Sequence, residues 1–216
     1  MAIAYSNSGS VDGVSSATAV ITLTINAGDT VVVEATNNTN EVISNVTDTG
    51  GSLYTKQGAS ATNGALTGEL WATAASTALA STSVTVHYAT ATHSGASAET
   101  YTGVADLGNI ATPTTGTSAA PSISLATQDL NNFIVAGIGA GPSANTWTAA
   151  TGNLRTNIAG TATHMESAGV DNTSVTPASV TSSATLSGSE AWVAFAIELR
   201  TDISVSHTNM PVFFQG

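Results

Sequence analysis

Apolar and polar residues alternate along this chain in short runs, and the runs have a period of two. Ile21-Thr22-Leu23-Thr24-Ile25 is the clearest example, and it places Ile21, Leu23 and Ile25 on one face of a strand. Asn26-Ala27-Gly28-Asp29 follows with turn chemistry, and residues 30–36 return as a buried strand carrying Val31-Val32-Val33. Further strands are expected at 42–47, 53–57, 68–73, 84–88 and 99–104. Helical periodicity is nearly absent, and Gly, Asn, Asp and Ser punctuate the runs every 8–12 residues or so, the spacing of a sandwich or barrel. The expected fold is therefore all-β, an antiparallel β-sandwich of jelly-roll or immunoglobulin-like type.

The order of these segments recurs. Ile123-Ser124-Leu125 stands where Ile21-Thr22-Leu23 stood, and Asn131-Asn132 leads into 133–138 as Gly28-Asp29 leads into Val31-Val32-Val33. Gly152-Asn153-Leu154-Arg155-Thr156 echoes Gly51-Ser52-Leu53-Tyr54-Thr55. Segments 165–170, 180–186 and 191–199 take the places of 70–74, 84–88 and 99–104. The pattern predicts two pseudo-repeated halves, 1–110 and 122–200, with a Thr/Gly/Ser/Pro-rich linker or crossing at 111–121 and a tail at 201–216. Two tandem sandwiches and one intertwined unit both fit this order. The apolar continuation through 107–110 favours one compact unit.

Composition narrows the function more than the fold. Of the 216 residues, 42% are hydrophobic and only 8% charged, so the chain has apolar material for a core and is not of disordered type. The formal net charge is −11, with Lys56, Arg155 and Arg200 as the three basic residues. A nucleic-acid footprint needs several clustered cations, and an anionic membrane surface would repel such a chain. There is no cysteine, which excludes disulfides and thiol chemistry, and no stretch is long and apolar enough for a membrane helix. The start, Met1-Ala2-Ile3-Ala4-Tyr5, lacks the basic and apolar regions of a signal peptide, so either the chain is used without such export, which suits a phage protein released by lysis, or a leader has been removed.

Several segments carry a family likeness. They are the Met1-Ala2-Ile3-Ala4 start, Ala27-Gly28-Asp29-Thr30 before Val31, and Val46-Thr47-Asp48-Thr49-Gly50-Gly51. Glu69-Leu70-Trp71, Tyr101-Thr102-Gly103-Val104 and the closing run from Trp192 to Arg200 complete the set. Over residues 2–200 the chain resembles an Ala/Gly/Ser/Thr-rich β-sandwich module of tailed-phage structural proteins and of bacterial secreted and surface proteins. The resemblance implies display or assembly and brings no catalytic site with it. The tail beyond Arg200 is not part of that pattern.

Candidate chemistry is sparse. Glu34, Glu69, Glu99, Glu166, Glu190 and Glu198 could supply a carboxylate pair for glycoside hydrolysis, but their strands read as half exposed and the acids as solvated. His87, His93, His164 and His207 could join abundant serines in a triad, yet no Gly-x-Ser-x-Gly elbow presents a nucleophile. Gly137-Ile138-Gly139-Ala140-Gly141 lacks the spacing of a dinucleotide loop and is expected to be a turn. Asp12, Asp48, Asp106, Asp129, Asp171 and Asp202 are the oxygen ligands calcium would use, without ordered spacing, and Asx-turns explain them equally. Asn37, Asn45 and Asn172 begin glycosylation sequons that such a composition produces by chance. Of Trp71, Trp147 and Trp192, the last sits among apolar neighbours and reads as core; Trp147, in a polar stretch, is the candidate for a ligand-facing residue on a glycan, although core or partial burial is the favoured reading.

The tail is the most distinctive local feature. Ile203 and Val205 alternate with polar residues, and Met210, Val212, Phe213 and Phe214 follow, so that two of the four phenylalanines lie near its end. Such an apolar segment folds back, is partly an expression scar, or adds as a strand to a neighbouring copy. Together these features point to a non-enzymatic structural protein, first a virion component such as a capsid decoration, head fibre or tail part. The expected partners are further copies and neighbouring structural proteins, in a virion or extracellular setting. No cofactor is expected beyond an occasional calcium ion. The second reading is a secreted or surface module, either glycan-binding or the subunit of an extracellular filament.

Overall fold

A computed structural model describes residues 2–74, 79–128, 130–159, 165–174 and 176–201. The chain is all-β, and its sheets are antiparallel throughout. The first large sheet contains β1 (Ala4–Ile25), β2 (Thr30–Asn37), β3 (Ile43–Asp48), β4 (Tyr54–Lys56), β5 (Ala61–Asn63), β6 (Leu66–Thr73) and β7 (Ser81–Thr102). The second contains β8 (Asp106–Ile110), β9 (Thr114–Ser118), β11 (Asn132–Ala140), β13 (Asn153–Ile158), β14 (Glu166–Ser174) and β16 (Glu190–Arg200). A small third sheet is formed by β10 (Ser122–Ala126), β12 (Trp147–Thr151) and β15 (Ser179–Leu186).

One pairing scheme occurs twice. β2 lies between β6 and the C-terminal part of β7, as β11 lies between β14 and β16. The N-terminal part of β7 pairs with β3 and with the end of β1, as β15 pairs with β12 and β10. The segment 111–121, expected as a linker or crossing, carries β9, which pairs with β16 beside β8. In the first set β1 and β7 run unbroken through both layers, with register shifts in β1 at 5/7, 11/14, 16/18 and 22/25. In the second, Ser187-Gly188-Ser189 separates β15 from β16.

Each set encloses a core built by strand alternation. Ile21, Leu23, Ile25, Val84 and Val86 face Val31, Val33, Ala35 and Ala98 in the first. Ile123, Leu125, Leu186 and Trp147 face Ile134, Ile138, Ala194 and Ala196 in the second. The residues in between on the same central strands are buried too. Val32, Leu70, Ala72 and Tyr101 of the first sheet meet Val135, Val193, Phe195, Ile197 and Leu199 of the second. The architecture is thus four layers deep, with the two large sheets back to back. Strands covered on both faces need residues suited to burial at every position, which is why β2 and β6 are buried from end to end.

Candidate functional site

The seam between the large sheets gathers the chain's unusual chemistry. Alternation along β2 sends Val32, Glu34 and Thr36 into it, and along β7 it sends Ser97, Glu99 and Tyr101. The opposing strands offer Gly137 and Gly139 from β11, and Ser167, Gly169 and Asp171 from β14. The glycines leave space that the acids fill. A Cβ on Gly139 would stand 2.7 Å from Glu34 Oε1, one on Gly137 would meet the Glu34 methylenes, and one on Gly169 would come within 2.6 Å of Glu99 Cδ. The Ser167 hydroxyl donates to Glu34 Oε2, and Glu34 Oε1 is buried with no hydrogen-bond partner. Thr156 Oγ1 donates to Glu99 Oε1 at 3.0 Å and accepts from the Gly169 amide at 2.7 Å.

Burial dominates the electrostatics here. Glu34 is pushed up to about 8 by loss of solvation, which the Ser167 hydrogen bond opposes and the nearby charge of Glu99 reinforces. Glu99 is likewise pushed up to about 8 by desolvation, against hydrogen bonds from Thr156 and Ser97, with Asp171 raising it and Arg155 lowering it. At neutral pH both acids are therefore mainly protonated, and the chain carries about two fewer negative charges than its formal −11.

A second polar group closes the rim of the seam. Asp171 is fully buried and accepts from Arg155 Nε at 2.6 Å, Asn153 Nδ2 at 2.9 Å and the Tyr101 hydroxyl at 3.3 Å. The Arg155 guanidinium lies 4.1 Å from the centre of the Tyr5 ring, and Tyr5, Tyr101 and Phe133 follow one another across the joint. Burial drives the Tyr101 hydroxyl well above its ordinary range, aided by Glu99 and Asp171. Ser8 Oγ donates to the Arg155 carbonyl and Asn63 Nδ2 to the Gly116 carbonyl, so hydrogen bonds cross between the two strand sets at both places.

The carboxylates expected to be solvated are in large part interior. Glu34, Glu69, Glu99 and Glu198 are each at most 1% exposed, because their strands are covered on both faces. Glu69 binds Lys56 at 2.9 Å, Ser60 at 2.7 Å and the Trp71 indole at 3.0 Å. Glu198 accepts from the backbone amides of Asn109 and Gln128 and from Asn132 Nδ2, tying two loops to β16. Glu190 lies at the start of β16, half-buried, and Glu166 opens β14. Trp147 is also corrected: it is 2% exposed in the second core, its indole N–H without an acceptor, because alternation along β12 turns it inward despite its polar flanks. Gly137-Ile138-Gly139 is strand rather than turn, since the glycines serve as seats for Glu34 and Thr36. Trp192 is in the core as expected, with its N–H on Ser118.

The remaining candidates are dispersed. His87 bonds Thr47 on an outer face, and His93 pairs in register with Ser15. Asp48 makes an Asx-type turn with Ser52 and accepts from Tyr54, while Asp106 caps Leu107. Asp12 lines a cleft of about 230 Å³ with Ser10, Asn157 and Ile158. Among the described residues no three acidic or histidine side chains converge as a metal site. Asn37 is buried and organises the 37–41 turn, Asn45 is exposed, and Asn172 bonds Ser182. His164, His207, Asp129, Asp202 and the tail residues Ile203, Val205, Met210, Val212, Phe213 and Phe214 lie outside the described residues. The chain matches no protein-family model, no curated protein and no solved structure.

Proposed function

We propose that this chain is a non-enzymatic structural protein, a virion component of the kind that decorates capsids or builds head fibres and tails, and that copies associate through sandwich packing and the C-terminal tail. The observation that carries this reading is where the reactive side chains are spent. Glu34 binds Ser167, Glu99 binds Thr156 and Asp171 binds Tyr101 across the seam, with Arg155 held beside them by Asp171, rather than lining an opening. Chemistry needs groups that a substrate can reach, whereas a structural module needs its layers joined. The outer faces of the small layers are correspondingly plain. Ser124 bonds Thr181, Thr151 bonds Ser183, and Thr47 bonds His87.

The test compares the full chain with one ending at Arg200, by light scattering and negative-stain microscopy. Defined oligomers or threads from the full chain, with a folded monomer after truncation, support assembly through the tail. Identical monomers refute it. The glycan-binding alternative has lost its aromatic platform with the burial of Trp147, and a glycan screen that finds a ligand would restore it.

A further inference from the structure

We propose that the seam between the two large sheets is a pH-sensitive joint, closed while the carboxyls of Glu34 and Glu99 are protonated and loosened once alkali ionises them. The geometry leaves an ionised Glu34 without a cation. Its surroundings are Ser97 and Glu99 from β7, Ser167 from β14, and the backbone of Gly137 and Gly139 from β11. Facing Glu99 are Thr156 and Arg155 from β13, Asp171 from β14 and the Tyr101 hydroxyl of β7, which donates to Asp171, but Arg155 is already held by Asp171 at 2.6 Å. The packed strand β16 contributes Val193, Phe195 and Ile197, and Leu70 and Ala72 of β6 lie on the same face, so neither brings a charge. A single proton on each acid therefore separates a neutral seam from one holding two buried like charges.

The sign follows from linkage. Both groups sit above the ordinary 4.5 of an unfolded glutamate, so the folded chain retains protons that the unfolded chain releases. Their contribution is complete below about pH 4.5 and is lost as the pH rises through about 8. Within that window each acid raises the unfolding constant by up to about tenfold per pH unit.

The experiment uses the full chain. Thermal melts between pH 5 and 9.5 are compared for the unaltered protein, Glu34→Gln, Glu99→Gln and the exposed control Asp106→Asn, while carbon-13 NMR follows the glutamate carboxyls and the methyls of Val32 and Val135. The expected result is a melting temperature that falls from pH 5 to about pH 8 and levels off above it, with that slope reduced by either seam variant but not by the control. Two carboxyls should titrate several units above the others, and the Val32 and Val135 methyls should shift with the same midpoints while those of Ile21 and Ile123 stay still. Carboxyls that all titrate near their ordinary value, or seam variants that leave the pH slope unchanged, overturn the proposal. Should a variant not fold, the titration of the unaltered protein decides.

Discussion

Replacing Gly169 with alanine puts the glycine–acid fit to a direct test. The added Cβ would meet Glu99 Cδ at 2.6 Å and Thr156 Oγ1 at 2.7 Å, and both neighbours are held from behind by packed strands. Overpacking of this sort costs about 1–3 kcal/mol. The displaced Thr156 hydroxyl also loses its bonds to Glu99 and to the residue-169 amide, and orphaning buried groups adds about 1–3 kcal/mol. The sum, about 2–6 kcal/mol, corresponds to a fall in melting temperature of roughly 5–20 °C for a chain of this size. Urea unfolding of Gly169→Ala, Glu99→Ala and the double variant measures it. If the clash with Glu99 is the larger cause, Gly169→Ala costs clearly less when Glu99 has been cut back, with only the part due to Thr156 remaining, a coupling that a double-mutant cycle resolves. Gly64→Ala is the comparison: φ there is +66° with open space around it, so only backbone strain of about 1 kcal/mol is expected. Additive costs at 99 and 169, or equal losses at 64 and 169, would refute the reasoning.

Three further substitutions separate the layers. Phe195→Ala empties the seam against Gly68 and should cost about 3–5 kcal/mol in urea unfolding, with the fold retained by circular dichroism. Trp147→Phe loses no hydrogen bond, because the indole N–H has no acceptor, so its calorimetric cost should stay under about 2 kcal/mol despite complete burial. Lys56→Met removes the cation from Glu69; breaking a fully buried pair costs about 3–5 kcal/mol, but Lys56 is 35% exposed, so a loss of about 1–3 kcal/mol is expected by thermal melts.

Much of the strand order was legible because local alternation and turn chemistry agree. Ile21, Leu23 and Ile25 are buried on one face, and the 26–29 turn closes through the Asp29 amide on the Asn26 carbonyl with Gly28 at φ +89°. The first part of β1 was not legible. Its run of Ser, Asn, Gly and Asp has poor strand propensity, and pairing with the buried second part of β7 overrides it. The seam was missed for a different reason. Glutamate is nearly always at the surface, so its type argued for solvent, while coverage of the second face is a tertiary fact. One signal was present: Glu34 follows Val31-Val32-Val33 directly, and a strand with alternate glycines, Gly137 and Gly139, waits in the other half. A lone acid in a doubly apolar strand, with small residues elsewhere at the same period, marks a buried carboxyl.

That pairing of acid with glycine also explains why the seam is not simply apolar. Smooth aliphatic faces would pack in several offsets, since each strand repeats its side-chain direction every two residues. Glu34 fits where Gly137 and Gly139 leave room, and Glu99 where Gly169 does. Sliding β11 by one such repeat would set Glu34 against the buried Val135 side chain and take Ser167 from its carboxyl. The acids are costly to desolvate, but in the displaced arrangement they would be equally buried and without partners, so the penalty falls hardest on the wrong registers. Protonation lowers the cost of the correct one. The seam thus trades some stability for a single alignment of the two sheets.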